Sequence, residues 1–152
     1  MYLAIGAIFK NESHILQEWL DHYLYHGVDH IYLIDDQSTD AYEAILQPYL
    51  DRGQVTLYKM RCPVYLGRQR DAYNQYFLPV YKNSRWFGIF DLDEFLWSPR
   101  DVDLKKVLRL CEGIGQIQFS HSMYGSNGHV QQPRSVVQSM TRRAKHDSVG
   151  LL

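Results

Sequence analysis

Asp91 and Asp93 close the apolar run Trp86-Phe87-Gly88-Ile89-Phe90, with Leu92 between them and Glu94 directly after. In an extended chain residues two apart face the same way, so both aspartates are expected on one side while Leu92 turns to the core. Two hard oxygen donors converging on one spot suit Mg²⁺ or Mn²⁺, which is typically held by one or two carboxylates together with the phosphates of a substrate. Alone the spacing is common: composition produces it about once in 300 residues. Solvated acids at the end of a strand would leave the same trace.

Other polar clusters decide what company the pair keeps. Lys10-Asn11-Glu12 ends the apolar stretch Tyr2 to Phe9, and Asp35-Asp36 ends a second one, His30 to Ile34. Gly67-Arg68-Gln69-Arg70 opens a helical pattern, where a helix N-terminus and two guanidinium groups could meet phosphate oxygens. Acids for a cation beside bases for an anion suit a nucleotide diphosphate. No other nucleotide signature competes: Gly-x-x-x-x-Gly-Lys-Ser/Thr is absent, and Gly113-Ile114-Gly115 lacks the third glycine and preceding strand of a dinucleotide fingerprint.

Several of these residues have plainer readings. Glu12 suits the start of a helix through the dipole. Asp40, followed three residues on by Glu43, resembles a capping box for a second helix. His22 and His26 have metal-ligand spacing on one helix, but no carboxylate or cysteine completes the set, and the helix dipole accounts for His26. Trp19 and Tyr23 lie on the apolar face of that helix and read as core. Arg142-Arg143 with Lys145 is a solvated face or a phosphate contact.

The elements that must position these groups alternate. Tyr2–Phe9 reads as a strand, and Ile15, Leu16, Trp19, Leu20, Tyr23 and Leu24 recur at helical spacing up to Gly27. His30–Ile34 is a second strand. Ala44, Ile45, Tyr49 and Leu50 carry a second helix, which Pro48 is expected to bend or shorten. Gln54–Lys59 is a third strand, Gly67 to Val80 a third helix, and the run before Asp91 a fourth, buried strand. Alternation predicts an α/β fold with helices on both sides of a largely parallel sheet, and ligands there sit where strands end. After Leu96 the pattern weakens: a short helix over Leu104, Val107, Leu108 and Leu110, a half-buried strand over Gln116–Phe119, a hairpin-like turn at Ser126-Asn127-Gly128, and Val136–Arg143 as either strand or helix.

Bulk properties narrow the class. The 152 residues form a single domain, and 45% hydrophobic with 22% charged residues is the composition of a soluble globular protein. A formal net charge of −1 argues against nucleic acid as a partner. Cys62 and Cys111 are too few for a disulfide framework or a zinc site and predict reduced thiols in the cytoplasm. The opening apolar stretch is too short to span a bilayer and lacks a signal peptide's basic start, so neither export nor a transmembrane segment is expected.

The order Lys10-Asn11-Glu12, Glu18-Trp19, Gly27-Val28-Asp29-His30, Asp35-Asp36-x-Ser38-x-Asp40, Trp86 through Asp91-Leu92-Asp93-Glu94-Phe95-Leu96, and Tyr124-Gly125-Ser126-x-Gly128-His129 resembles the GT-A glycosyltransferases of the family-2-like and family-92 (DUF23) group. The resemblance covers most of the chain. It implies a GT-A three-layer α/β/α sandwich with residues 1–96 as a nucleotide-sugar-binding half and 97–152 as an acceptor-side half. It also implies transfer of a sugar, by inversion and with Mn²⁺ or Mg²⁺, from a UDP-, GDP- or dTDP-linked donor to a glycan or glycolipid. Asp91 and Asp93 would be the two acids of the metal motif, Asp93 coordinating directly and Asp91 meeting ribose or metal-bound water. Asp35 or Asp36 would contact the base or ribose, and Arg70 matches an arginine of related enzymes in the helix after the third strand. Lys10, Asn11, Glu12 and Arg68 complete the donor-binding set.

Two departures bear on catalysis. Related enzymes usually continue past this length, which predicts a truncated acceptor half or a minimal or inactive relative. Ser120 to Thr141 contains no carboxylate, and Gln138 stands near where the group often has an acid. The base of an inverting transfer is then sought in Glu94, His121, His129 or Asp147, with Glu94 and His129 taken forward. Two alternatives stand beside transfer. A haloacid-dehalogenase-like phosphatase also places Asp-x-Asp at a strand end, and a nucleotide-sugar-binding module would need no base.

Overall fold

The computed structural model describes residues 1–143, so Lys145 and Asp147 lie outside the described residues. Two compact units are present, Met1–Glu112 and Gly113–Leu152. Residues 97–112 therefore belong to the first unit.

In the first unit, β1 (Leu3–Phe9), β2 (His30–Asp35), β3 (Val55–Lys59) and β4 (Trp86–Ile89) form one parallel sheet in the order β3-β2-β1-β4. The chain runs outward from β1 through β2 to β3 and then returns to the other side of β1. The strand order thus reverses between β1 and β4, where open α/β sheets bind ligands. The helices are α1 (Ser13–Tyr25), α2 (Tyr42–Asp51), the short α3 (Arg68–Ala72) and α4 (Leu104–Arg109).

The two inner strands, β1 and β2, bury both faces. On one side Ala4, Tyr32, Ile34 and Met60 pack with Ala72 and Phe77. A Cβ on Gly6 would come within 2.7 Å of the Phe77 ring, so this strand position must lack a side chain. On the other side Phe9 meets Tyr42 of α2 edge to face, with ring centroids 5.0 Å apart. Helices on both faces of the sheet make the three-layer sandwich expected.

Five local expectations need correction. First, β4 is an edge strand among the described residues and is only half-buried, with Ile89 44% exposed; it was expected to be buried. Second, α2 runs on through Pro48, because Leu46 and Tyr49 are buried and the Tyr49 hydroxyl donates to Asp21 of α1 at 2.6 Å. Third, the third helix ends at Ala72 and continues as a π-helical turn, Tyr73–Phe77, with Leu78 N–H donating to Tyr73 C=O at 3.0 Å. Fourth, Asp40 caps α1 rather than α2, its carboxylate accepting from Ser13 N–H at 2.8 Å. Finally, Gln116–Phe119 forms no strand.

Gly27 closes α1 with φ +87°, a left-handed value, and a Cβ there would fall 2.4 Å from Asp103 Oδ1. Next to it Asp29 fastens β1, accepting from the N–H groups of Tyr2 and Leu3 at 2.7 and 3.0 Å. The Gly27-Val28-Asp29-His30 stretch is therefore a structural fastener at the edge where the strands begin.

In the second unit, α5 spans Val136–Ser139 and Tyr124 bridges Arg143 in antiparallel sense. His129 N–H donates to Ser126 C=O at 2.9 Å around Asn127 and Gly128, both at positive φ. The turn is present, but among the described residues no hairpin flanks it. Its hub is Asn127, which donates to Ser139 C=O at 2.7 Å and accepts from Arg142 N–H at 2.9 Å.

Candidate functional site

The loops after β1, β2 and β3 enclose an open cleft of about 390 Å³. Lys10, Glu12, Asp36, Arg68 and Gln69 supply its polar lining, and Phe9, Met60, Val64 and Tyr65 are among its apolar walls. Asp36 and Arg68 face one another as a bidentate pair, one arm of which measures 3.0 Å, and both side chains are largely buried. Arg68 also donates through Nε to the Cys62 sulfur at 3.4 Å. A guanidinium so held presents a fixed, planar set of donors.

Of the two adjacent acids, Asp35 serves the fold. It is buried, with one oxygen accepting from Ser38 N–H at 2.8 Å and the other from the Tyr42 hydroxyl at 3.1 Å. Asp36 alone reaches the cleft. Asn11 behaves like Asp35: left-handed at φ +56°, it accepts from Thr39 N–H at 2.7 Å while its own N–H donates to Ser38. The pair ties the loop after β1 to the loop after β2 and leaves Lys10 and Glu12 on the cleft wall. Arg70 does not line the cleft; it is exposed and pairs with Asp71 at 3.2 Å. α3 has only five residues, and Arg68 is the guanidinium of this segment that lines the cleft.

The aspartate pair lies just beyond β4. The strand stops at Ile89, so Asp91-Leu92-Asp93 sits in a turn rather than in extended chain. The expected side-chain split survives the change: Leu92 is buried and both aspartates are exposed. Glu94 closes the turn on itself. Its N–H donates to Asp91 C=O at 3.0 Å, and its carboxylate accepts from Asp91 N–H at 3.0 Å.

Glu12 connects cleft and turn. Burial raises its pKa, the Lys10 N–H opposes this, and the charges of Asp93 and Asp91 raise it further. Three carboxylates thus share one field on this edge, an environment that favours a cation. Among the described residues no group of three or more His, Cys, Asp or Glu is arranged as a ready-made metal cage. Two aspartates that leave the remaining positions to substrate oxygens and water fit Mg²⁺ or Mn²⁺ better than a cage would.

Sequence reasoning placed Trp19, Tyr23, His22 and His26 in the core or on the helix surface, and all four turn out to hold the segment after β4. Trp19 Nε1 donates to the carbonyls of Asp91 and Glu94 at 2.9 and 3.1 Å. The Tyr23 hydroxyl donates to Glu94 C=O and accepts from Leu96 N–H, both at 3.1 Å. His22 Nε2 meets Leu96 C=O at 2.8 Å and His26 Nδ1 meets Val102 C=O at 2.7 Å; a carbonyl only accepts, so those nitrogens carry protons. Among the described residues no third His, Cys, Asp or Glu joins the pair to hold a metal, and its work here is structural. The polar handle on a buried Trp or Tyr was the one signal that could have found this.

Residues 2–149 match the profile of Glycosyltransferase family 92. The chain belongs to that family. A glycosyltransferase family 92 protein of Oryza sativa subsp. japonica is 24% identical over 138 residues, covering 89% of this chain and 23% of its own length. One from Ricinus communis is 25% identical over 99 residues, covering 64% and 17%. The family-92 chain thus spans about a quarter or less of the length of these relatives. In three dimensions it superposes on TarS residues 1–349 of S. aureus with a TM-score of 0.52 and 15% identity, covering 82% of this chain and 40% of that one. This likeness supports the GT-A-type α/β fold. Family membership replaces the haloacid-dehalogenase alternative, and no helix among the described residues is long and apolar enough to cross a membrane.

Proposed function

We propose that this chain carries the donor site of a glycosyltransferase that moves a sugar from a nucleotide diphosphate to a glycan or glycolipid, with inversion and with Mn²⁺ or Mg²⁺. The observation that carries the reading is the place of Glu12 after the central strand β1, on the wall of the Asp36–Arg68 cleft and within the field of Asp91 and Asp93 beyond the neighbouring β4. Asp36 and Arg68 offer an acceptor and donors to base or ribose, and Lys10 offers charge to the diphosphate. Asp93, with Asp91, would hold the cation, which supplies Lewis-acid neutralisation of the charge building on the departing diphosphate.

For the base, Glu94 is the candidate beside the Asp91–Asp93 turn; His129 belongs to the second unit. The absence of any Asp or Glu from Ser120 to Thr141 favours a second reading, a module that binds donor without turning it over.

A thermal-shift panel of UDP-, GDP- and dTDP-linked sugars, with and without Mn²⁺, tests both readings. Stabilisation should grow with ligand concentration, require the metal, and vanish in Asp93→Ala. A panel with no metal-dependent shift, or a shift untouched by Asp93→Ala, would refute the donor site. Metal-dependent binding without transfer or donor hydrolysis selects the binding module.

A further inference from the structure

The Asp91–Leu96 segment has no regular secondary structure, yet a hard cation such as Mg²⁺ demands near-ideal ligand geometry. What fixes it is α1. The Asp91 carbonyl has two lone pairs, and both are engaged: one by Glu94 N–H inside the turn, the other by Trp19 Nε1 from the helix. The Glu94 carbonyl accepts from Trp19 Nε1 and from the Tyr23 hydroxyl. That hydroxyl in turn accepts Leu96 N–H, and His22 donates to Leu96 C=O. Trp19 and Tyr23 are fully buried, and their rings meet edge to face at 4.7 Å. Burial pushes the Tyr23 hydroxyl well above its ordinary pKa, so it stays protonated and able to donate.

We propose that Trp19 and Tyr23, assisted by His22, are positioning residues that set the backbone of the Asp91–Leu96 turn and thereby the ligand geometry of Asp91 and Asp93. The inference rests on the donor-site reading for its function, but its geometry stands apart from it. The carboxylates lie at the surface while the peptide planes that carry them are tied down beneath. Cation binding then requires little reordering of the loop. Groups that orient metal ligands from behind typically contribute 10–100-fold in metal affinity.

Trp19→Phe removes the indole N–H, and Tyr23→Phe removes one oxygen while keeping the ring that stacks on Phe90. Calorimetry would measure UDP, GDP and dTDP affinity in Mn²⁺ and in EDTA, and amide exchange would follow Leu96 against the amides of β1 and β2. In each variant the affinity gained on adding Mn²⁺ should fall about tenfold while metal-free affinity stays unchanged. Leu96 should exchange faster, most of all in Tyr23→Phe, with the strands still protected. A merely structural role would lower stability and leave the Mn²⁺ gain intact; an intact gain in both variants overturns the proposal. Should the wild type show no Mn²⁺ gain with any of the three nucleotides, the donor reading fails, and exchange alone decides: unchanged Leu96 protection in Tyr23→Phe overturns the positioning role. Should Trp19→Phe fail to fold, Tyr23→Phe keeps both measurements.

Discussion

Asp29 and Glu112, where the strands begin, and Glu12, where they end, are held in opposite ways. Both acids at the first edge meet a counter-charge, as Asp36 does at the second. Asp29 faces the Lys105 ammonium at 2.7 Å, and although burial pushes its carboxyl up, that ammonium and two backbone N–H groups hold it below its ordinary value. Glu112 accepts the Tyr2 hydroxyl at 2.6 Å and faces the Arg85 guanidinium at 3.2 Å, which together lower its pKa. Where the strands end, Glu12 is raised by burial and then by two further carboxylates. Stability alone would have placed a lysine there. A carboxyl whose pKa is raised by burial and by two neighbouring carboxylates beside a cleft supports the proposed cation site.

Substitutions at the two edges should separate function from stability. The largest effect is expected for Asp93→Asn: a loss of at least about a hundredfold in Mn²⁺-dependent nucleotide affinity, with no loss of stability to urea in EDTA. A destabilised Asp93→Asn would show the turn to be structural and would break the comparison. Arg68→Lys comes next. Lysine cannot reproduce the two-pronged pairing with Asp36, so nucleotide affinity should fall about tenfold with or without the metal. At the opposite edge Asp29→Asn should cost about 1–2 kcal/mol in urea unfolding and leave nucleotide affinity unchanged.

How much of this was legible in the sequence follows from what each signal measures. Apolar periodicity reports burial, so the four strands and α1 were readable from Leu3–Phe9 and from Trp19, Leu20 and Tyr23. It says nothing about which strand ends the sheet, and β4, as apolar as the others, lies at the edge among the described residues. Short-range capping rules assume local partners, and Asp40 was misassigned because its partner, Ser13, is 27 residues away. The site's acids were readable as a set, but their division of labour was not. Asp35 and Asp36 are chemically identical neighbours, separated only by which one meets Tyr42 and which one meets Arg68. Trp19 and Tyr23 were seen as bulk, because a pattern of apolar positions records where a ring is buried and not what its polar atom touches.

The smallest expected effect gives the most direct test of the raised Glu12 carboxyl itself. The folded-state pKa of Glu12 lies above its ordinary value of 4.5, so the folded chain holds this proton more tightly than the unfolded one. The contribution of Glu12 to stability is therefore present below 4.5 and is lost as pH rises through the folded value. Asp29 has the opposite sign: its contribution is present above its ordinary value of 3.8 and is lost as pH falls through the depressed one. In EDTA, the stability of Glu12→Gln relative to the wild type should rise with pH from 4.5 upward and then level off. The cost of Asp29→Asn should instead shrink below pH 3.8. Saturating Mn²⁺ should reverse the Glu12→Gln trend, since a bound cation favours the ionised carboxylate. A Glu12→Gln difference that stays constant with pH, or is indifferent to Mn²⁺, would mean that Glu12 does not share the field of Asp91 and Asp93, and the contrast between the two edges would lose its physical basis.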